Sequence, residues 1–182
     1  MIATKGIPIL LVVGLALASP AARAQSDPDL VGLFMEGCLP YVGNTAALRQ
    51  WVTQTGLQPL NHEGQAAFLP GGNGVAYDAS TQRARFVLLS GNDGTCSAVA
   101  EQAGRARVAA ELESAFREAG IGFTMASDTP DPQERQIYHR QYRASAGGRN
   151  WQVVVSGPDS GAQPIMITAS EEPPPTNPQA PR

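Results

Sequence analysis

The chain has 182 residues, 13 Lys and Arg against 16 Asp and Glu, a formal net charge of −3 at pH 7 and only 6% aromatic residues. That length suits one domain with a real core. A mildly acidic chain without a basic cluster argues against nucleic acid or an anionic lipid surface as partner.

Residues 1–24 have the three parts of a cleavable secretory signal: charge at Lys5, an apolar stretch from Ile7 to Ala18, and Ala22-Arg23-Ala24 as the A-x-A pattern at the cut. Cleavage is expected between Ala24 and Gln25. The apolar stretch falls short of the roughly 20 residues needed to span a bilayer, and no cysteine stands at the cut to carry a lipid. Removal of this segment leaves 182 − 24 = 158 residues, with 13 − 2 = 11 cations, all Arg, against 16 acids, or −5. No later stretch is long and apolar enough to span, so no stable membrane insertion is expected after cleavage.

In the mature chain, residues 25–170 read as a single domain. Asp27-Pro28 opens a helix expected to reach about Cys38 and to stop before Pro40. Leu30, Phe34 and Cys38 fall at i, i+4 and i+8, which puts Cys38 on the inward stripe. Asn44 or Thr45 caps a second helix, with Leu48, Trp51 and Val52 on one face and Gly56 at its end. Leu57 to Gly74 reads as loop with a helical turn around Gln65 to Leu69. Strands are expected at Val75–Tyr77, Ala84–Leu89 and Thr95–Ala100, the last two joined by Gly91-Asn92-Asp93-Gly94.

The clearest helix, Gly104 to Ala119, has Val108, Leu112, Ala115, Phe116 and Ala119 as its apolar stripe. Arg107 with Glu111 and Glu113 with Arg117 form i, i+4 pairs on the wet face. Four more strands follow, at Ile121–Ala126, Glu134–Ala144, Trp151–Val155 and Ile165–Ala169, with Ser127 to Gln133 as a polar loop. From Glu171 to Arg182 the chain is Pro-rich and reads as a disordered tail. Strands linked by short hairpins make an antiparallel meander. The fold class is α+β, with two N-terminal helices and one central helix on one face of the sheet.

Cys38 and Cys96 are the only cysteines. An even count in an exported chain predicts that they pair. Neither His62 nor His139 has a second ligand at metal spacing, and the Gly71 to Gly74 cluster lacks the sequence of a phosphate loop, so no cofactor is expected. The acidic loop holding Asp128, Asp131 and Glu134 lacks EF-hand spacing. Asp159-Ser160-Gly161 reads as a turn. Tyr138, Arg140 and Tyr142 alternate onto one strand face, beside Arg143 and Arg149. They are residue types enriched at binding hot spots, which makes them candidate binding residues.

Gly37-Cys38-Leu39, Gly74-Val75-Ala76-Tyr77-Asp78 and Asp93-Gly94-Thr95-Cys96 give a pattern, over residues 30 to 170, that resembles small exported proteobacterial proteins of unknown function. The resemblance implies a Gram-negative periplasm and carries no catalytic residue. The leading expectation is a periplasmic binding or interaction module whose partner is an envelope protein or a small ligand. The rival is a small hydrolase with Cys96 or a serine as nucleophile and His139 or His62 as base; a structural envelope protein is the third.

Overall fold

A computed structural model describes residues 29–159 and 163–172; the signal segment with Ala24 and Gln25, Asp27-Pro28, Ser160-Gly161 and most of the Pro-rich tail lie outside them. Helix α1 (Leu30–Leu33) is capped by the Asp29 carboxylate, which accepts from Gly32 N. It widens into a π-helical turn (Phe34–Cys38) and tightens into a 3-10 turn (Leu39–Tyr41). The helical path therefore runs past Pro40 instead of stopping before it. A proline in the first turn of a new helical segment has no intrahelical donor to lose.

Helix α2 (Thr45–Thr55) begins at Asn44, whose side chain accepts from Ala47 N, and ends at Gly56. Gly56 has φ of 78°, the left-handed conformation that closes helices at low cost for glycine alone. Strand β1 (Gln58–Pro59) and helix α3 (His62–Phe68, capped by Asn61) occupy the stretch expected to be mostly loop. Strands β2 (Gly74–Asp78), β3 (Phe86–Gly91) and β4 (Cys96–Ala100) precede helix α4 (Arg105–Glu118). Strands β5 (Gly122–Pro130), β6 (Tyr138–Ala146), β7 (Arg149–Gly157) and β8 (Ile165–Glu171) complete the order.

All eight strands join one antiparallel sheet in the order β1-β2-β3-β4-β8-β7-β6-β5. It consists of two four-stranded meanders, β1–β4 and β5–β8, whose last strands β4 and β8 pair at the centre. Helix α4 carries the chain from that centre to the far edge. The α+β class with an antiparallel meander is thus what the chain adopts.

Period-two alternation decides which side chains meet the helices. On that face Phe86 and Leu88, Cys96 and Ala98, Ile165 and Ile167, Val153 and Val155, and Tyr142 and Ala144 form one core with Leu30, Phe34, Leu48, Val52, Val108, Leu112 and Phe116. Small side chains at the centre, Cys96, Ala98 and Ala169, leave room for α1 against β4. Close approach also dictates Gly37, where an added Cβ would lie 2.7 Å from the Trp51 ring.

The opposite face is unevenly covered. Over β2–β4, Leu60 and Leu69 flank α3 and pack with Ala76, Leu89 and Val99. The amide of Gln65 substitutes for a strand there, donating to Ala76 O at 2.7 Å and accepting from Ala76 N at 2.9 Å. This covers an otherwise open sheet edge. Over β5–β8 the same face carries polar side chains such as His139, Gln141 and Gln152, half exposed.

Cys38 and Cys96 form a disulfide that joins the end of the π-helical turn to the first residue of β4, with both residues buried. It closes a loop of 58 residues. In the chain-entropy model a loop of that size stabilises by about 4 kcal/mol. The Cys38→Ala/Cys96→Ala double variant is therefore expected to unfold in urea with a free energy lower by about 4 kcal/mol, measured on the oxidised wild type and the variant side by side.

Candidate functional site

Two polar clusters stand at one end of the β5–β8 half, on opposite faces of the same strands. The helix-facing cluster is organised by Arg105, the first residue of α4. Its guanidinium is buried, with only 6% of the side chain exposed. It donates to Asp128 Oδ1 at 2.7 Å and, through Nε and Nη2, to Asp159 Oδ1 at 2.8 and 2.6 Å. It also lies over the Tyr138 ring, 5.0 Å from the centroid.

Arg140 adds two hydrogen bonds to Asp128 Oδ2, at 2.8 and 2.6 Å. Tyr142 donates to Glu113 Oε1 of α4 at 2.9 Å. Tyr138, Arg140 and Tyr142 do share one strand face, but it is the face that the helices cover. Tyr142 is fully buried against Phe116 and Phe123. These residues bind α4 to the sheet. Arg143 pairs instead with Glu172, and Arg149 holds the carbonyls of Pro40 and Val42.

This cluster also explains why β5 extends through Ser127-Asp128-Thr129-Pro130, a stretch expected to be loop. A bulge between Met125 and Ser127 resets the alternation, so that Asp128 points toward the helices and meets two arginines. Burial pushes the Asp128 carboxyl up, while the Arg140 hydrogen bond and the charges of Arg105 and Arg140 outweigh it and hold the carboxyl below its ordinary value. Burial, reinforced by the hydrogen bond to Glu113, pushes the Tyr142 hydroxyl up to about 12.

The open-face cluster is a serine, a histidine and an aspartate. His139 on β6 and Ser156 on β7 are cross-strand partners. Nδ1 of His139 lies 2.8 Å from Ser156 Oγ, and Nε2 lies 2.9 Å from Asp131 Oδ2. The other carboxylate oxygen of Asp131 accepts from Gln133 N and Glu134 N at 2.8 and 2.9 Å. The His139 hydrogen bond, followed by these two backbone donors, lowers the Asp131 carboxyl to about 2.

An ionised carboxylate only accepts hydrogen bonds, so Nε2 must carry the ring proton. In the neutral imidazole the lone pair then sits on Nδ1, and the Ser156 hydroxyl is its donor. His139 and Asp131 remain partly open, with 36% and 27% of their side chains exposed.

His62 lies exposed at the start of α3. Cys96 is bonded to Cys38 and the described residues hold no free cysteine, which rules out the cysteine-nucleophile form of a hydrolase. Among the described residues no group of three or more His, Cys, Asp or Glu is placed to hold a metal ion, and no helix is long and apolar enough to cross a membrane.

A groove of about 390 Å³ opens on the same face, lined by Leu60 and Phe68 near α3, by Val87 and Val99 of the sheet and by Pro164, with Arg85 and Glu101 among its polar members. Phe68 is 37% exposed there. The register connects groove and triad: Val87, Val99, Met166, Ser156 and His139 are successive cross-strand partners on β3, β4, β8, β7 and β6. No family model matches the chain, and no curated protein or solved structure matches it significantly.

Two outcomes follow. Asp128→Ala would leave Arg140 with only the longer carboxylate contact, to Glu113 at 3.9 Å, and buried Arg105 with Asp159 as its one carboxylate. A stability loss of about 2–3 kcal/mol in chemical denaturation is expected, between the values for exposed and buried pairs. Asp131, lowered in the folded state, contributes stability that is present above its unfolded pKa near 3.8 and is lost as pH falls toward about 2. Acid titration of Asp131→Asn, followed by circular dichroism, should show a shallower loss between pH 4 and 2 than wild type.

Proposed function

We propose that the mature chain works in the Gram-negative periplasm as a binding module, and that its binding surface is the apolar groove beside α3. A signal-like segment ending at Ala24 and a buried disulfide both favour an oxidising compartment outside the cytoplasm. The observation that carries the binding role is the groove itself. Half-exposed Phe68 stands with Leu60, Val87, Val99 and Pro164 in one concavity, and Asp78, Arg85 and Glu101 supply polar contacts among them. Concave apolar surfaces with a few placed polar groups are where ligands and partner segments bind.

The groove suits an apolar segment of an envelope protein or a small apolar ligand. The Tyr138–Arg140 end of β6 plays a supporting part in this account, since it holds α4 in place and leaves the open face for recognition. Affinity capture from periplasmic extract with the wild type and with Phe68→Asp is the test. The variant is expected to keep its unfolding midpoint within a few degrees, because Phe68 is outside the core, and to lose at least nine-tenths of the co-purifying species. Equal recovery by both proteins would refute the groove as the binding surface.

A further inference from the structure

We propose that Ser156, His139 and Asp131 form an esterase-type site whose substrate places an apolar acyl chain in the groove over Val99. The inference rests on the groove as a binding surface and adds to it a reaction and a ligand class. Three observations support it, the second following from the first. The hydrogen-bond chain is complete, at 2.8 Å from Ser156 to His139 and 2.9 Å from His139 to Asp131. The ionised carboxylate fixes the ring so that its lone pair faces the hydroxyl, as a general base requires. The row of cross-strand partners Val99, Met166 and Ser156 places the nucleophile two strands from the groove floor. At the spacing of adjacent strands that is about 10 Å, the reach of an extended chain of roughly eight carbons.

The ring nitrogens are exchanged relative to the serine-protease arrangement, in which Nε2 faces the serine. The chemistry needs only one N–H toward the carboxylate and one lone pair toward the hydroxyl, and both conditions hold. Ser156 Oγ would bond to the ester carbonyl carbon while its proton passes to Nδ1. The carbon–alkoxy bond then breaks, and the leaving alcohol takes that proton. Water attacks the acyl-serine by the same proton route, releasing the carboxylic acid and restoring the Ser156 hydroxyl.

The site differs from a purely structural clasp in what Ser156 does to an electrophile. Mature protein would be treated with ethyl and octyl fluorophosphonates, which form an Oγ–P bond with loss of fluoride, and the adduct located by peptide mass spectrometry. Ser156 is expected to be the labelled residue and octyl to react at least ten times faster than ethyl. His139→Gln should slow labelling by about 100-fold, the lower end of what a general base contributes, with thermal unfolding recorded to show that the variant is folded. Phe68→Asp should lower the octyl-to-ethyl rate ratio at least threefold. Absence of an adduct at Ser156, or labelling indifferent to His139→Gln, overturns the site even if Phe68→Asp abolishes partner capture. Equal octyl and ethyl rates overturn the acyl-chain assignment.

Discussion

The Cys38–Cys96 disulfide joins the helical layer to the sheet at the strand where the sheet's two halves meet. β4 is the last strand of the first meander and the partner of β8, the last strand of the second. Anchoring the π-helical turn there sets α1 against the small side chains of β4 and brings Gly37 onto Trp51 of α2. The other two core helices then complete the cover. α2 reaches β3 through Leu48 and Val52, and α4 reaches β5 and β7 through Leu112 and Phe116. With the entropy of a 58-residue loop removed from the unfolded chain, a helical layer with an interrupted first helix can still hold its place.

A second constraint works at the N-terminal end of α4. Arg105 is buried at its first turn, satisfied by Asp128 and Asp159 and stacked on Tyr138. A buried ion pair offers limited net stability, because desolvation offsets much of the attraction. Its consequence here is geometric: it fixes where β5 ends, which in turn places Asp131 at the mouth of the following loop. The polar network on the helix side thus helps position the serine, histidine and aspartate on the open side. On that side the cross-strand partners Val87, Val99 and Met166 lead from the apolar groove to Ser156 and His139.

Much of the fold was legible in local chemistry. Asn44 and Gly56 bracket α2, the i, i+4 charge pairs mark α4 and Gly91-Asn92-Asp93-Gly94 marks the turn between β3 and β4, since each signal depends on neighbours a few residues away. The disulfide could be anticipated because a signal-like segment and an even cysteine count point to it from outside the fold. Other features depended on partners distant in sequence. The extension of β5 needs the Met125–Ser127 bulge and the two arginines that meet Asp128. Helix α3 was obscured by Gly64 in its middle, although Asn61 is a good cap. Tyr142 looked like a surface residue because an alternating strand does not say which face the helices cover. Ser156 could not be singled out at all, since its pairing with His139 exists only in the register of β6 and β7.

The proposed periplasmic function rests on export together with one internal disulfide. Intact mass spectrometry of the protein recovered from the periplasmic fraction, without reduction, tests it most directly. A single species beginning at Gln25 is expected, which gains the mass of two hydrogens on reduction and accepts a thiol-alkylating reagent only afterwards. A full-length chain retained in the cytoplasm, or a mature chain that alkylates at both cysteines before reduction, would contradict it.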